Sequence, residues 1–141
     1  MRLRGGLTCD IEDGPWKLVV DESQKDGGNG EGPDPGVFGR AALGSCLAIG
    51  YGMWAAKLGV PFESIAVDVE ADYDARGMFG IDDSVLPGWH AMRYAVTVAS
   101  SAPDADVRRV LDEADAHSSL LDSFARAVPV SREVKITTPA R

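Results

Sequence analysis

Cysteine and histidine are both scarce in this 141-residue chain: two cysteines, Cys9 and Cys46, and two histidines, His90 and His117. Four such residues at these separations fit no zinc-binding spacing and no disulfide framework, and a reducing cytoplasm is the expected setting. Basic residues are outnumbered 14 to 22 by acidic ones, for a formal net charge of −8. With no basic run to offset that charge, nucleic acid is excluded as a partner. No apolar run reaches the ~20 residues that a bilayer-spanning helix requires, so no membrane partner is expected. The opening MRLRGGLTCD lacks an apolar segment, and no secretory leader is expected from it. Also missing are GxSxG, the phosphate-binding GxxxxGK, HExxH and GxGxxG. No metal and no cofactor is expected.

What remains is the composition of an ordinary globular domain, 45% hydrophobic and 26% charged, and its length suits one domain over residues 1–141. Leu3–Cys9 and Trp16–Val20 read as a hairpin turning at Asp13-Gly14. The glycine- and acid-rich stretch 21–36 reads as a mobile loop, closed by Asp34 as helix N-cap and Pro35 at the first helical position. A helix over about 36–57 stops at Gly59-Val60-Pro61. Alternation then predicts strands at Ser64–Tyr73 and Trp89–Ala99, joined by a longer connection in which Met78 and Phe79 are exposed. Val107, Val110, Leu111 and Ala114 share one helical face, Ser119–Arg126 continues as a short helix, and Val130–Ile136 reads as a closing strand. Helices and strands do not alternate regularly, which predicts α+β with an antiparallel sheet.

The sixteen residues Ala41–Ala56, AALGSCLAIGYGMWAA, carry no charge. A helix without a polar face must be covered, at a core or at a contact between helices. Gly44, Gly50 and Gly52 each cost up to ~1 kcal/mol there against alanine, offset either by close approach of another backbone or simply by burial. Cys46 lies near the middle. It reads either as a small buried hydrophobe or as a reactive thiol, and the second needs both access and a group that favours the thiolate. Its depth in the helix takes it beyond reach of the N-terminal dipole. His90 and His117 are both weighed as its partner. Asp68, Glu70, Asp72 and Asp74 form an acidic strand face, read as a solvated edge or a cation site.

The segment PGVFGRAALGSCLAIGYGMWAAKLGVPFESIAVDVEADYD resembles the signature of the OsmC/Ohr family, the osmotically inducible and organic-hydroperoxide-resistance proteins. Their LxxALGSC helix carries a cysteine and is followed by a G-x-P-x-x-S turn and an alternating strand; ADAHSSLLDSFARAVPVSREVKI resembles their second-cysteine helix and last strand. The resemblance implies an intertwined homodimer, with antiparallel sheets wrapped around long central helices and sites at the subunit interface. It implies that Cys46 is the peroxidatic cysteine, attacking a hydroperoxide to give a sulfenic acid. The resolving cysteine of the family falls at Ser118, followed by Ser119, and its glutamate ten residues before the cysteine falls at Gly36. The activating arginine comes from the N-terminal segment, where Arg4 is the nearest match and Arg2 the next, with Arg40 as a substitute. Cys9 would replace the missing thiol if its strand lay against the central helix. The expected function is reduction of a small hydrophobic peroxide by one cysteine, with an external thiol as reductant. The alternative is a non-catalytic dimer that binds a small hydrophobic ligand at its interface.

Overall fold

The computed structural model describes residues 1–137. Its architecture is α+β with two antiparallel sheets. The first is a meander of β1 (Arg2–Gly5), β2 (Thr8–Asp13) and β3 (Trp16–Val20). The hairpin expected from the sequence is the β2–β3 pair, with Asp13 opposite Trp16 and Gly14 at φ +55° in the turn. Its first arm differs from the expectation. Leu3–Cys9 is broken at Gly6, whose φ of +55° turns the chain, so β1 folds back on β2.

The acidic loop is pinned, not free. Asp21 is buried, and its Oδ2 accepts the Thr8 hydroxyl at 3.0 Å and the amides of Asn29 and Glu31 at 3.1 Å each. Asn29 in turn donates to Thr8 Oγ1 at 3.0 Å. One carboxylate therefore holds a glycine-rich segment that has too few apolar groups to fold on itself.

The central helix α1 (Pro35–Leu58) begins and ends on local signals. Asp34 accepts the Val37 amide at 2.9 Å, Pro35 opens the helix, and Gly59 closes it at φ +68° with its amide on Ala55 and Ala56 carbonyls. Leu43, Leu47 and Tyr51, one side of this helix, are almost fully buried, each worth about 1.5–3 kcal/mol by area. Against them lie Ile65, Val67 and Val69 of β4 (Ser64–Asp72) and Met92, Tyr94 and Val96 of β5 (Ala91–Ala99), the inward residues of a two-stranded antiparallel sheet. A short helix α2 (Ala75–Met78) lies in the connection between those strands. Helix α3 (Asp104–Ala116) adds Val110 and Ala114 to the core, with Val107 and Leu111 beside them, the face its periodicity predicts. Helix α4 (Ser119–Ala125) packs its Leu120 and Leu121 on the same core.

The glycines of α1 divide into two kinds. A Cβ at Gly44 would lie 3.1 Å from Val69 Cγ2, so this glycine admits the sheet to the helix surface. The close neighbour is a strand, not a second helix. Gly44→Val is expected to destabilise the fold by about 1–3 kcal/mol through overpacking, read as a lower urea midpoint at unchanged m-value. Gly50 and Gly52 face open space, with nothing within 4 Å of an added Cβ. They adjoin an exposed stripe of Ala41, Ser45, Ile49, Met53 and Ala56.

The outer acidic face of β4 is partly neutralised across the sheet. Arg93 sits opposite Glu70 and reaches both Glu70 and Asp72 at 2.6 Å, while Asp74 caps α2 and holds Arg76. No group of ligating side chains spaced for a metal occurs among the described residues. The closing strand expected at Val130–Ile136 is not formed within this chain. Residues 127–137 have no ladder partner here, and Val130 and Ile136 are each 92% exposed. Among the described residues no helix is long and apolar enough to cross a membrane.

Candidate functional site

Cys46 lies on the side of α1 that meets the junction between α3 and α4. Two interruptions build that junction. His117 ends α3, and Ser118 then caps α4, its Oγ accepting the Leu121 amide at 3.3 Å. Ser118 is buried and stands 3.7 Å from the Cys46 sulfur. Because the Leu121 N–H takes a lone pair on Oγ, the hydroxyl proton is free to point at the sulfur. The Ser119 hydroxyl and the Leu120 amide, at the start of α4, also favour the charged form of Cys46.

These groups bias the charge of the thiol. Burial works against the thiolate, but the Leu120 N–H and the hydroxyls of Ser118 and Ser119 outweigh it and bring the Cys46 pKa below its ordinary value. The cradle is made of neutral donors. No arginine lines the pocket onto which the sulfur opens, a cavity of about 290 Å³. Its walls are Leu47, Ile49, Met53 and Trp54 of α1, with Ala114 and His117 opposite. An apolar wall with a half-buried nucleophile at one end suits a small hydrophobic molecule bearing one reactive polar group.

The other candidates fall into place around this cradle or away from it. Position 118, where the family's second thiol would stand, does face Cys46. Arg4 is on the meander, tied to Asp10 at 3.2 Å and Glu31 at 2.8 Å. Arg40 turns back along α1 toward its start: its Nη1 would lie 3.3 Å from a Cβ at Gly36. Neither guanidinium lines the pocket of the Cys46 sulfur within this chain, and a Cβ at position 36 would lie between Asp34 Oδ1, at 2.9 Å, and Arg40 Nη1. Cys9 is on β2 with its sulfur 3.8 Å from the Asp10 carbonyl, and both thiols are free. His90 is remote from the pocket, its Nε2 donating to the Leu86 carbonyl at 3.2 Å. His117 is on the pocket wall, its ring tilted 35° against Trp54 with ring centroids 4.9 Å apart. Its Nδ1 donates to the Glu113 carbonyl at 2.7 Å, since a carbonyl can only accept, which fixes the tautomer of the neutral ring.

The Ser119 hydroxyl and the Leu120 amide are the candidate groups beside the sulfur that the sequence did not single out. Their signal was local: two serines directly after a helix, followed by leucines, mark the cap of a new one. What that cap faces is not local information.

A half-buried thiol on a long apolar helix, facing the cap of a second helix and opening on an apolar pocket, is the candidate site of this α+β frame. The chain belongs to the OsmC-like protein family, whose model matches residues 28–133. No curated protein sequence matches it. Among solved structures it is similar to an OsmC-like protein from Mycoplasma pneumoniae, with TM-score 0.71, 9% identity, and 84% of this chain and 79% of that one covered. It is also similar to an organic hydroperoxide resistance protein OsmC from Legionella pneumophila, with TM-score 0.57, 13% identity, and coverage of 88% and 91%. A third similar structure is an organic hydroperoxide resistance protein from Vibrio cholerae with captopril in one of its active sites, with TM-score 0.55, 13% identity, and coverage of 83% of each chain. At these identities the likeness is one of fold.

Proposed function

We propose that the protein is a single-cysteine thiol redox protein that reduces a small organic hydroperoxide at Cys46, acts as an intertwined homodimer, and takes its electrons from an external thiol in a reducing compartment. The observation that supports it most is the cap of α4: the Ser118 hydroxyl stands 3.7 Å from a sulfur that opens on an apolar pocket, and the neutral groups that start α4 favour its thiolate. Such a cradle favours the thiolate without a cation, as amide and hydroxyl donors favour an oxyanion. Membership in the OsmC-like family and fold neighbours named for hydroperoxide resistance point the same way.

In this reading the Cys46 thiolate attacks the outer oxygen of the hydroperoxide. The O–O bond breaks, the alkoxide leaves and takes up a proton as the alcohol, and Cys46 becomes a sulfenic acid. Position 118 offers a hydroxyl where a resolving thiol would act, so the sulfenic acid waits for a thiol from outside. That thiol condenses with it, releasing water and leaving a mixed disulfide, and a second thiol frees Cys46. The sum is one hydroperoxide and two thiols converted to alcohol, water and disulfide. Arg4 or Arg40 of a second protomer is the cation that an interfacial site would add to the cradle.

Alkylation of Cys46 followed against pH tests this. The expected midpoint lies below the ~8.5 of a free cysteine, because the thiolate is the reacting form. Cumene hydroperoxide is then expected to abolish alkylation and to yield a dimedone-trapped sulfenic acid at Cys46. A thiol that reacts only above pH ~8.5 and leaves the hydroperoxide intact would favour the binding-protein reading instead.

A further inference from the structure

Two tyrosines meet one carboxylate in the core without taking part in the chemistry above. Tyr51 of α1, fully buried, donates to Asp115 Oδ1 at 2.6 Å, and Tyr94 of β5 donates to Asp115 Oδ2 at 2.8 Å. Asp115 is in the last turn of α3, and its carbonyl accepts the Ser118 amide at 3.2 Å. Cys46 and Tyr51 are on one helix; Asp115 and Ser118 are on the segment that faces it. The two segments are therefore joined at two rungs, Tyr51–Asp115 and Cys46–Ser118, and Tyr94 ties the first rung to the sheet.

The two rungs are unequal. The Cys46–Ser118 contact, at 3.7 Å to a sulfur, is too long and soft to set the distance between the segments. The Tyr51–Asp115 bond is short, part-buried and made to a carboxylate, so it fixes the spacing to which the soft rung conforms. A carboxylate accepts from both hydroxyls at once, which no apolar residue of similar size can do. Burial with this acceptor also raises the pKa of both tyrosines, so they remain protonated donors across the working range.

We propose that Asp115 is a positioning residue for Cys46: gripped by Tyr51 and Tyr94, it holds the start of α4 against α1 so that the Ser118 hydroxyl stays on the sulfur. The inference rests on the thiol-redox reading of Cys46. Besides the cradle, the titratable groups around the sulfur are His117 on the pocket wall and, beyond Trp54, Lys57, whose Nζ lies 3.8 Å from the Trp54 ring centroid. Neither of them contacts Asp115 through its side chain among the bonds described.

The test is the pH midpoint of Cys46 alkylation in Asp115→Ala, Asp115→Asn, Tyr51→Phe and Tyr94→Phe, each first shown to be folded by circular dichroism. Asp115→Ala is expected to raise the midpoint by about one pH unit, and so to slow alkylation at a fixed pH below the midpoint by about tenfold. The phenylalanine variants are expected to shift it in the same direction by less. Asp115→Asn, which keeps an acceptor for Tyr51, is expected to retain most of the parent value. A role in stability alone would lower the melting temperature and leave the midpoint of the folded protein where it was, and that result overturns the proposal. Should Asp115→Ala fail to fold, Tyr94→Phe decides, since it removes one hydroxyl and keeps the ring. A parent Cys46 that titrates like a free cysteine defeats the redox reading itself, and this proposal with it; a parent midpoint that is low and unmoved by the variants defeats this proposal alone.

Discussion

Ser118→Cys is expected to form a disulfide with Cys46 as soon as the protein meets a stoichiometric amount of organic hydroperoxide. The two γ atoms already stand 3.7 Å apart on facing elements. Closing to an S–S bond of about 2.05 Å takes small side-chain rotations at both residues and a slight approach of α4. Because α4 is a helix of seven residues at the end of the packed core, it is the side that can move. In chemical terms the sulfenic acid on Cys46 would condense with the new thiol and release water, and a dithiol would reopen the bond. The protein would thus pass from a cycle that needs two external thiol encounters to one with an internal resolving step. Loss of the serine cap costs about 1 kcal/mol, small beside the change in chemistry. The measurement is the number of alkylatable thiols before and after hydroperoxide, with peroxide turnover under dithiothreitol as the functional readout. Ser123→Cys is the control, since Ser123 points its hydroxyl at the Ser119 carbonyl and does not line the pocket. If Ser118→Cys behaves like that control, Cys46 does not reach a sulfenic acid facing position 118.

Which parts of this molecule were legible in its sequence follows from the range of the interactions involved. The ends of α1 were, because Asp34, Pro35 and Gly59 act on amides and carbonyls within four residues of themselves. So were β4, β5 and α3, whose inward residues repeat at the period of their own backbone. Asp21 was not: its partners Thr8, Asn29 and Glu31 lie eight to thirteen residues away, and composition alone made that loop look unanchored. The cradle of Cys46 lies further still from local information, Ser118 being 72 positions along the chain from Cys46. Family resemblance placed position 118 near the thiol, and said nothing of the Leu120 amide or of the Tyr51–Asp115 rung. Val130–Ile136 has the alternation of a strand, but pairing depends on an available edge, and alternation does not say which chain supplies one.

That unpaired segment belongs with a larger pattern, and the second large prediction comes from it. Eight hydrophobic residues are buried among the described ones, a small core for a chain of this length. Meanwhile Ile49 and Met53 on α1 are 64% and 67% exposed, and Leu3 and Trp16 on the meander are 65% and 70% exposed. Apolar surface of this extent is what association covers. A second copy of α1 laid along the stripe of Ala41, Ser45, Ile49, Met53 and Ala56 would bring a backbone close to Gly50 and Gly52. Those glycines make the sign of the effect diagnostic. In a lone protomer, alanine at either position meets nothing within 4 Å and is expected to stabilise α1 by about 0.5–1 kcal/mol. At a seam between two helices the added methyl has to displace the partner, and the same change destabilises. Gly50→Ala with Gly52→Ala is therefore expected to lower the melting temperature, and Ile49→Asp with Met53→Asp to abolish the dimer in sedimentation. The parent's melting temperature is expected to rise with protein concentration, since folding and association are then one equilibrium. A parent that sediments as a monomer and is stabilised by the two alanines would mean that α1 keeps its apolar stripe in water, and that the pocket of Cys46 is built from one chain.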